Sequence, residues 1–325
     1  MTLIQCKNTA SDREHTYVNS TRKVLGIGET ILDIIFRNNK PEKAVPGGSV
    51  FNGMVSLARC GVPALFISEL GNDKVGSLIK DFMIENHLSP EYVHFFEDGS
   101  SPVALAFLDE QQNASYQFYR DFPKKRLQIK FPDIQADDIL ILSSYFAVNP
   151  VLRKEIVRLL TYTKQQKAII YYDINFRKPH AGERLQLMPD FIENFKFSTI
   201  VRCSSEDLAV LFPNETISEI YRKYIAPYCK QLIVTQGEKE ILLKTETFEK
   251  SYPVETFIPV STIGAGDNFN AGLIFGLMQE KILLDDLKNL PENQWNKLIE
   301  YGKIFATAVC RSIENYVEPQ FKPQK

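Results

Sequence analysis

The chain of 325 residues has little that would place it in a membrane or on a nucleic acid. No apolar run approaches the roughly 18 to 20 residues that a membrane-spanning helix needs. The formal net charge is −2, which leaves no positive excess to attract a polyanion or an anionic lipid surface. The N-terminus is polar and lacks the apolar core of a secretory signal. We therefore expect a cytoplasmic protein without a membrane or nucleic-acid partner.

The sequence also lacks the clustered cysteines and histidines of metal-binding or disulfide-bridged domains. Its five cysteines include no C-x-x-C pair and its four histidines form no H-E-x-x-H motif, a pattern typical of free thiols in a reducing compartment. The Walker motif G-x-x-x-x-G-K-[ST] does not occur. Gly26 and Gly28 open like a dinucleotide-binding fingerprint, but Ile31 occupies the place of the third glycine, which argues against that fold.

Short apolar runs alternate with longer segments of helical period along most of the chain. The runs predict strands at residues 23–27, 64–69, 138–143, 168–173, 199–203, 231–235 and 240–244. The periodic segments predict helices at residues 48–60, 75–86, 150–165, 266–280 and 294–312, with another beginning at Ser204 or Ser205. This alternation indicates an α/β fold, with a mostly parallel sheet covered on both faces. Such sheets bind ligands at the carboxyl ends of their strands.

One part of the chain interrupts this alternation. Residues 103–108 and 114–119 are strand-like, and the polar residues 109–113 between them predict a hairpin. Residues 31–36 also read as a strand and follow the first strand without a helix between. We interpret these strands as a small β lid over the carboxyl edge of the main sheet.

The lid strands define the expected domain organisation. We expect lid segments near residues 31–45 and 100–122, inserted in a single domain of residues 23–325. Residues 1–22 are predicted to be an N-terminal extension. The sequence contains no internal repeat or long linker that would indicate a second domain.

The run Gly264-Ala265-Gly266-Asp267 places small residues and an acid at the start of an apolar helix. Small residues let the backbone turn tightly and approach a ligand, and the first turn of a helix offers unpaired N–H groups to an anion. A carboxylate beside a bound phosphate suits a base that takes a proton from an attacking hydroxyl. Asp267 would equally suit a structural role, in which its charge complements the helix dipole. The segment alone does not distinguish these two roles.

A second glycine pair, Gly47 and Gly48, lies at a predicted strand-to-helix junction, with Asn52 one turn into the helix. Such a pair lets the backbone approach a hydroxylated ligand closely, and an asparagine side chain can both donate and accept hydrogen bonds. The same pattern also occurs in an ordinary turn and helix start.

These motifs resemble the two signatures of the ribokinase-like (PfkB) carbohydrate kinase family. GGSVFNGMVSLARCG (47–61) is similar to the N-terminal signature and STIGAGDNFNAGL (261–273) to the C-terminal one. Lesser landmarks follow in the family's order: Gly28-Glu29 with Asp33, GNDKVG (71–76), DINFR (173–177), residues 201–207, and Thr235-Gln236-Gly237. The resemblance covers residues 23–311 and favours Asp267 as a catalytic base.

The resemblance implies a three-layer α/β domain with a β lid, which binds a sugar between the two, ATP near the C-terminal signature, and Mg²⁺ at the phosphates. The anion hole would be formed by Gly264, Ala265 and Gly266. The sugar hydroxyls would be bound by Asp33, Gly48 and Asn52, although Asp33 also suits a simple strand-end acid. The nucleotide site would be lined by Ser204, Thr235, Gly237 and Thr307. A monovalent cation, which some members use, stays an open possibility.

Some positions depart from the family pattern. The N-x-x-E motif, which organises Mg²⁺ through water, corresponds to Ser204-Ser205-Glu206-Asp207 here. Asp207 stands where the glutamate is expected, and Glu206 would share its role. Thr307 stands where an asparagine often lies near adenine. Arg177, in the D-x-N-x-R run, is expected to reach the substrate or the transferring phosphate, and the alternative is a salt-bridged surface arginine.

The predicted hairpin ends in residues that bear on the substrate. Gln117-Phe118-Tyr119-Arg120 resembles the F-Y-R of fructokinase-like and ketodeoxygluconate-kinase-like members. Tyr119 would stack on a sugar face and Arg120 would bind a hydroxyl or carboxylate, unless the pair only packs on the sheet. Lys124-Lys125-Arg126 would bind the phosphate of a sugar phosphate or form a solvated charged surface. We favour an unphosphorylated hexose, with fructose first.

Two other functions remain open from the sequence. The first is a nucleoside kinase of the same family, which needs an apolar, base-sized pocket. The second is a non-catalytic sugar sensor that keeps the fold. A lid with exposed edge strands would also allow a homodimer through the lid.

Overall fold

The computed structural model describes residues 22–108 and 114–323. Its strands, in chain order, are β1 (Val24–Ile27), β2 (Ile31–Arg37), β3 (Lys40–Gly47), β4 (Ala64–Gly71), β5 (Val93–Phe96), β6 (Ser100–Leu108), β7 (Ala114–Asp121), β8 (Ile139–Ser143), β9 (Ile169–Asp173), β10 (Ile200–Ser204), β11 (Gln231–Thr235), β12 (Glu240–Lys244) and β13 (Glu249–Pro253). Its α-helices are α1 (Ser49–Arg59), α2 (Lys74–Glu85), α3 (Arg153–Gln165), α4 (Arg184–Phe197), α5 (Ser205–Leu211), α6 (Ile217–Ile220), α7 (Ala265–Gln279) and α8 (Glu292–Cys310).

The described residues form two sheets. The larger sheet has nine strands in the order β13-β12-β11-β10-β9-β8-β1-β4-β5, and its strands from β11 to β5 are parallel. The antiparallel strands β12 and β13 extend one edge. The smaller sheet has the order β3-β2-β6-β7, with β2 parallel to β6 and antiparallel pairs on either side. The predicted mostly parallel sheet with a β lid is confirmed.

Helices cover both faces of the larger sheet because its strands alternate their side chains between two apolar cores. On β9, Ile169 and Tyr171 pack in a core with side chains of α1, α2, α7 and α8. Ile170 and Tyr172 of the same strand pack in a second core with side chains of α3 and α4. This arrangement gives the three layers that were predicted.

The lid joins the main sheet at its carboxyl edge. Three residues separate the end of β1 from the start of β2, and β3 ends immediately before the Gly48 cap of α1. An ion pair between Lys43 and Glu314 ties β3 to the segment after α8. The lid therefore overhangs the carboxyl ends of the parallel strands, where the sequence predicted a ligand site.

Several elements were not predicted, and each has a weak local signal. β5 has only four residues, and β13 is a mainly polar edge strand that ends in Pro253. α4 contains Pro189, a residue that normally ends a helix. Among the described residues, no helix combines the length and apolar character needed to cross a bilayer.

The predicted N-terminal extension lies outside the described residues except for Arg22. Its Nε donates to the carbonyl oxygen of Asp137 at 2.6 Å and its Nη1 to that of Leu277 at 3.2 Å. Arg22 therefore contacts the folded domain directly.

Candidate active site

The start of α7 is a tight turn that depends on glycine. Gly264 caps the helix with φ 77°, and a Cβ at this position would lie 2.7 Å from the carbonyl oxygen of Asn315. A residue with a side chain would therefore be strained and would collide with Asn315. Ala265, Gly266 and Asp267 form the first turn. The N–H of Ala265 donates to the carbonyl oxygen of Thr262 at 3.3 Å, while those of Gly266 and Asp267 have no acceptor within the helix and can bind an anion.

A buried amide holds this turn in place. Asn268 Nδ2 donates to the carbonyl oxygens of Gly264 and Asn315, both at 2.8 Å. Its Oδ1 accepts a hydrogen bond from Ser56 Oγ, which in turn accepts from the N–H of Val317 at 3.1 Å. Because every polar group in this buried chain has a partner, it links α1, the α7 turn and the C-terminal segment rigidly.

Asp267 and Asn52, two of the predicted site residues, are in direct contact. Asn52 Nδ2 donates to Asp267 Oδ2 at 2.8 Å, from a helix 215 residues away in the chain. α1 and α7 pack closely enough that a Cβ on Gly53 would lie 3.0 Å from the carbonyl oxygen of Asp267. The Oδ1 atom of Asn52 is buried and has no protein partner among the described residues, so it can accept from a ligand hydroxyl.

The environment of Asp267 changes its ionisation. Burial raises its pKa from 3.8 to about 7, and the carboxylate of Asp173 acts in the same direction. The hydrogen bond from Asn52 and the charges of Arg202 and Arg177 lower the pKa of Asp267 in part. A carboxyl group with a pKa near 7 can exist as a base at neutral pH and also hold a transferred proton.

A buried polar network below this turn was not predicted. Asp173 lies at the carboxyl end of β9 and accepts from Arg202 Nη1 at 3.1 Å and Asn270 Nδ2 at 2.9 Å. Asn270 Oδ1 accepts from the hydroxyl of Tyr171 at 2.9 Å. The sequence signals were an arginine inside the apolar strand β10 and an amide inside the apolar helix α7. Their partners, however, depend on which strands are neighbours.

The glycine pair before α1 makes room for two acidic residues. A Cβ on Gly47 would lie 2.5 Å from Asp33 Oδ2, and a Cβ on Gly48, which has φ 137°, would overlap the carbonyl oxygen of Glu29. The pKa of Asp33 is raised to about 7, mainly by burial and then by the charge of Glu29. The structure therefore brings Asp33 close to the glycine pair at the base of the lid. Asn52 lies one turn further along α1, where its N–H donates to the carbonyl oxygen of Gly48 at 2.8 Å.

The lid strand β7 presents a different residue set from the one predicted. The register pairs Asp33 with Ala104 and Ala104 with Phe118, so these three side chains share one face of the lid. Arg120 lies on this face and makes a two-bond ion pair with Glu29, at 2.8 and 3.1 Å. Its guanidinium also lies 4.4 Å from the ring centroid of Phe118.

Tyr119 does not join this group. Its neighbours Phe118 and Arg120 face Asp33, and successive side chains on a strand point to opposite faces. Tyr119 and Arg120 therefore lie on opposite faces of the lid and cannot face a sugar as a pair, while a sugar contact of Tyr119 by itself stays a prediction. Phe118 and Tyr116, whose rings stack with centroids 5.8 Å apart, are the aromatic residues on the Asp33 face.

The predicted nucleotide residues lie on β10, on β11, in the turn after β11 and on α8. Ser204 and Thr235 are neighbours at the carboxyl ends of β10 and β11. Thr235 Oγ1 accepts from Arg202 Nη2 at 2.7 Å, and Gly237 occupies the following turn with φ 62°. Thr307 is on α8, one turn before Cys310. The carbonyl oxygen of Cys310 accepts from the N–H of Val260 at 2.8 Å, and Val260 belongs to the loop that leads to Gly264.

Asp207 and Glu206, the predicted metal residues, differ in their surroundings. Asp207 Oδ2 accepts from the N–H of Ser204 at 2.8 Å, while Ser204 Oγ accepts from the N–H of Asp207 at 3.1 Å, so the pair forms a capping box for α5. Asp207 Oδ1 is buried and has no protein partner among the described residues. Glu206 is 84% exposed and lies 3.9 Å from the guanidinium of Arg177.

Arg177 is more than half exposed, and its contact with Glu206 is at the limit of an ion pair. Burial raises the pKa of both Asp267 and Asp207, and the charge of Arg177 lowers both in part. Arg177 is therefore within electrostatic range of both carboxyl groups without a close salt bridge.

The basic run after the lid contributes no phosphate site through Arg126. Its Nε donates to the buried carboxylate of Glu69 at 2.5 Å, and its guanidinium lies 3.4 Å from the ring centroid of Phe122. Glu69 also accepts from the N–H of Leu127. Arg126 thus anchors the segment that follows β7 to Glu69 on β4. Lys124 and Lys125 are exposed.

Comparisons with known proteins agree on one family. Residues 21–315 match the model of the pfkB family carbohydrate kinases. A curated relative, "Probable fructokinase-6, chloroplastic" of Arabidopsis thaliana, is 25% identical over 282 residues, which cover 83% of this chain and 73% of the relative.

Two solved structures share the fold. The fructokinase of Vibrio cholerae O395, bound to fructose, ADP and calcium ion, superposes with a TM-score of 0.78 at 20% identity, covering 90% of this chain and 94% of that one. The aminoimidazole riboside kinase of Salmonella enterica, complexed with aminoimidazole riboside and an ATP analogue, has a TM-score of 0.74 at 19% identity, with coverages of 90% and 94%.

Proposed function

This chain belongs to the pfkB family of carbohydrate kinases, and from that premise we propose that it transfers the γ-phosphoryl group of ATP to a hydroxyl of a neutral hexose, with fructose favoured. The observation that carries the proposal is the contact of Asn52 with Asp267 at the start of α7. This contact supports the proposal because it holds a carboxyl group with a pKa near 7 in the first turn of a helix, where N–H groups suit an anion.

The proposed reaction uses this geometry directly. Asp267 accepts the proton of the sugar hydroxyl while the hydroxyl oxygen forms a bond to the γ-phosphorus. The bond from that phosphorus to the bridging oxygen breaks, and ADP leaves. The N–H groups of the Gly264–Gly266 turn bind the phosphoryl oxygens, whose negative charge they stabilise through the reaction.

The residues near Ser204 fit a magnesium ion held through water. Asp207 Oδ1 is a buried carboxylate oxygen without a protein partner, which suits a water ligand of the metal, and Glu206 lies at the exposed rim. Such an ion, when bound with ATP, would neutralise part of the phosphate charge. We keep Asp207 and Glu206 as water-mediated ligands within this proposal.

The charge around Asp33 supports a neutral sugar. Arg120 is already paired with Glu29 through two hydrogen bonds, so it has less capacity to bind a substrate carboxylate or phosphate. Glu29 and Asp33 carry the acidic groups on this side, and they would repel an anionic sugar. The fructokinase names among the relatives support fructose within this class.

The deciding experiment is a screen of ADP release with fructose, ribose, ketodeoxygluconate, fructose phosphates and adenosine. We expect turnover with fructose, and Asp267→Asn should bind ATP yet lose most turnover. Near wild-type turnover by Asp267→Asn would refute the assignment of the base. Turnover only with adenosine would favour the nucleoside kinase, and calorimetric sugar binding without turnover would favour the sensor.

The homodimer through the lid stays part of this proposal. The edge strand β7 exposes about half of the Phe118 and Tyr119 side chains, which suits a contact with a second lid. Sedimentation equilibrium of wild type and Tyr119→Glu would test it, since a charge in this contact should shift the protein to monomer.

A further inference from the structure

Arg202 is a buried cation for which the proposed reaction has no assigned role. It interrupts β10, an otherwise mainly apolar strand, and only 5% of the residue is exposed. Arginine is rarely buried to this extent unless it is paired, because removing its charge from water is costly. The position of this charge therefore calls for a reason beyond packing.

The contacts of Arg202 hold its guanidinium in one place. Nη1 donates to Asp173 Oδ1 at 3.1 Å and Nη2 to Thr235 Oγ1 at 2.7 Å. Nε is buried and has no hydrogen-bond partner among the described residues. Two neighbouring strands thus fix the group, and its Nε–H donor is left without a protein partner in the described part of the chain.

The guanidinium lies against the first turn of α7. A Cβ on Gly266 would be 3.1 Å from Nη2 and 3.2 Å from Nη1, so the absence of a side chain at Gly266 lets the charge approach the turn. The ring of Phe269, one turn further along α7, lies 5.7 Å from the guanidinium carbon. The positive charge therefore lies beside the first turn of α7, at Gly266.

This charge also acts on the base. The charged groups that influence Asp267 are Asp173 on β9, which raises its pKa, and Arg202 on β10 and Arg177 after β9, which lower it. On the α1 side the neighbour is the neutral Asn52. Arg202 thus favours both an anion at the turn and the ionised form of Asp267.

We propose that Arg202 is a positioning residue for phosphoryl transfer, which links Asp173 to the Gly266 turn and supplies a fixed positive charge beneath the bound phosphates. It acts through the turn and does not touch the reacting atoms. The inference rests on the proposed function for its effect on turnover, while its effect on nucleotide binding is independent of which sugar is used.

The first test compares Arg202→Met and Arg202→Lys with wild type. Arg202→Met should weaken ATP binding in calorimetry and lower kcat/KM about 10- to 100-fold, and the acidic limb of its pH profile should move to higher pH. Arg202→Lys keeps the charge and should keep the position of that limb. Unchanged ATP affinity and an unchanged limb in folded Arg202→Met would overturn the proposal.

Arg153→Met is the matched control, because Arg153 is also largely buried and ion-paired, to Asp190 and Glu193 on the opposite face of the sheet. It should lower thermal stability without moving the pH limb. An equal movement of the limb in this variant would mean that loss of stability, and not the charge at the turn, produces the effect.

The second test keeps the proposal decidable even if Arg202→Met does not fold. Gly266→Ala adds a methyl group against the guanidinium, and should lower kcat/KM about 5-fold or more in the Arg202 background. In the Arg202→Lys background, where the flexible ammonium can move away, the loss should be about 2-fold or less. Equal losses in both backgrounds would refute a link between Arg202 and the turn.

A failure of the proposed function would be recognised separately. If wild type releases no ADP with any sugar, the sugar kinase proposal fails. Calorimetric affinity for ATP in wild type, Arg202→Lys and Gly266→Ala would then still decide the role of Arg202.

Discussion

The hydrogen bond from Asn52 to Asp267 makes a quantitative prediction about pH dependence. Burial raises the pKa of Asp267 to about 7, and the bond from Asn52 Nδ2, 2.8 Å long, lowers it from a still higher value. In wild type we therefore expect kcat/KM to fall on the acid side with a midpoint near pH 7. Asn52→Ala removes the donor that stabilises the ionised base, so its midpoint should move to higher pH.

The size of this movement follows from the energy of the bond. A hydrogen bond to a charged group contributes about 1.5–3 kcal/mol, and about 1.4 kcal/mol corresponds to one pH unit, so the midpoint should rise by about one to two pH units. Asn52 is also expected to bind the sugar, so the loss of this contact in Asn52→Ala should lower kcat/KM at every pH. The midpoint separates the effect on the base from that loss of binding.

The assay is coupled ADP release at low sugar concentration from pH 5.5 to 9.5. Asn72→Ala is the matched control, because Asn72 donates a bond of the same length to Glu97 at an exposed position away from the turn. Its midpoint should equal that of wild type. The reasoning fails if the midpoint of Asn52→Ala stays at the wild-type value, or if Asn72→Ala moves by the same amount.

Three further predictions concern stability and the lid. Because burial raises the pKa of Asp267, its ionisation lowers the free energy of unfolding as the pH rises from about 4 to 7. In scanning fluorimetry the melting temperature of Asp267→Asn should therefore exceed that of wild type at pH 8, and this difference should vanish toward pH 4. Gly48→Ala should lose about 2–4 kcal/mol of unfolding free energy in urea, since its Cβ meets a backbone carbonyl, whereas Gly61→Ala, with a positive φ but open space, should lose only about 1–2 kcal/mol. Phe118→Ala should raise the KM for the sugar about 5- to 30-fold in steady-state kinetics, and Tyr119→Ala, on the opposite face of the lid, should leave it unchanged.

The parts of the site that the sequence predicted are those with a local signal. Small residues before an apolar helix predict the turn from Gly264 to Asp267. In the structure Gly264 has a left-handed backbone conformation and α7 begins at the next residue. The glycine pair before Asn52 gives the same kind of signal at α1. In both cases neighbouring residues in the chain determine the backbone conformation.

The parts that were missed depend on which strands are neighbours. Arg202 meets Asp173 and Thr235 because β9, β10 and β11 lie side by side in register, and the sequence does not contain that register. The sequence also did not predict that one oxygen of Asp207 caps α5, which leaves only the other for the predicted metal role. The alternation of side chains along a strand already separates Tyr119 from Arg120, so the sequence alone indicates that the two lie on opposite faces.

The chain of hydrogen bonds through Ser56, Asn268 and Val317 has a consequence for protein synthesis. It joins residues separated by up to 261 positions, and the turn at Gly264 also packs on Asn315. A nascent chain that has been translated as far as Asp267 therefore possesses the base and both glycine motifs but lacks the segment that supports the turn. The turn should acquire its native support only after residues 315–317 have been translated, and shorter chains should consume no ATP.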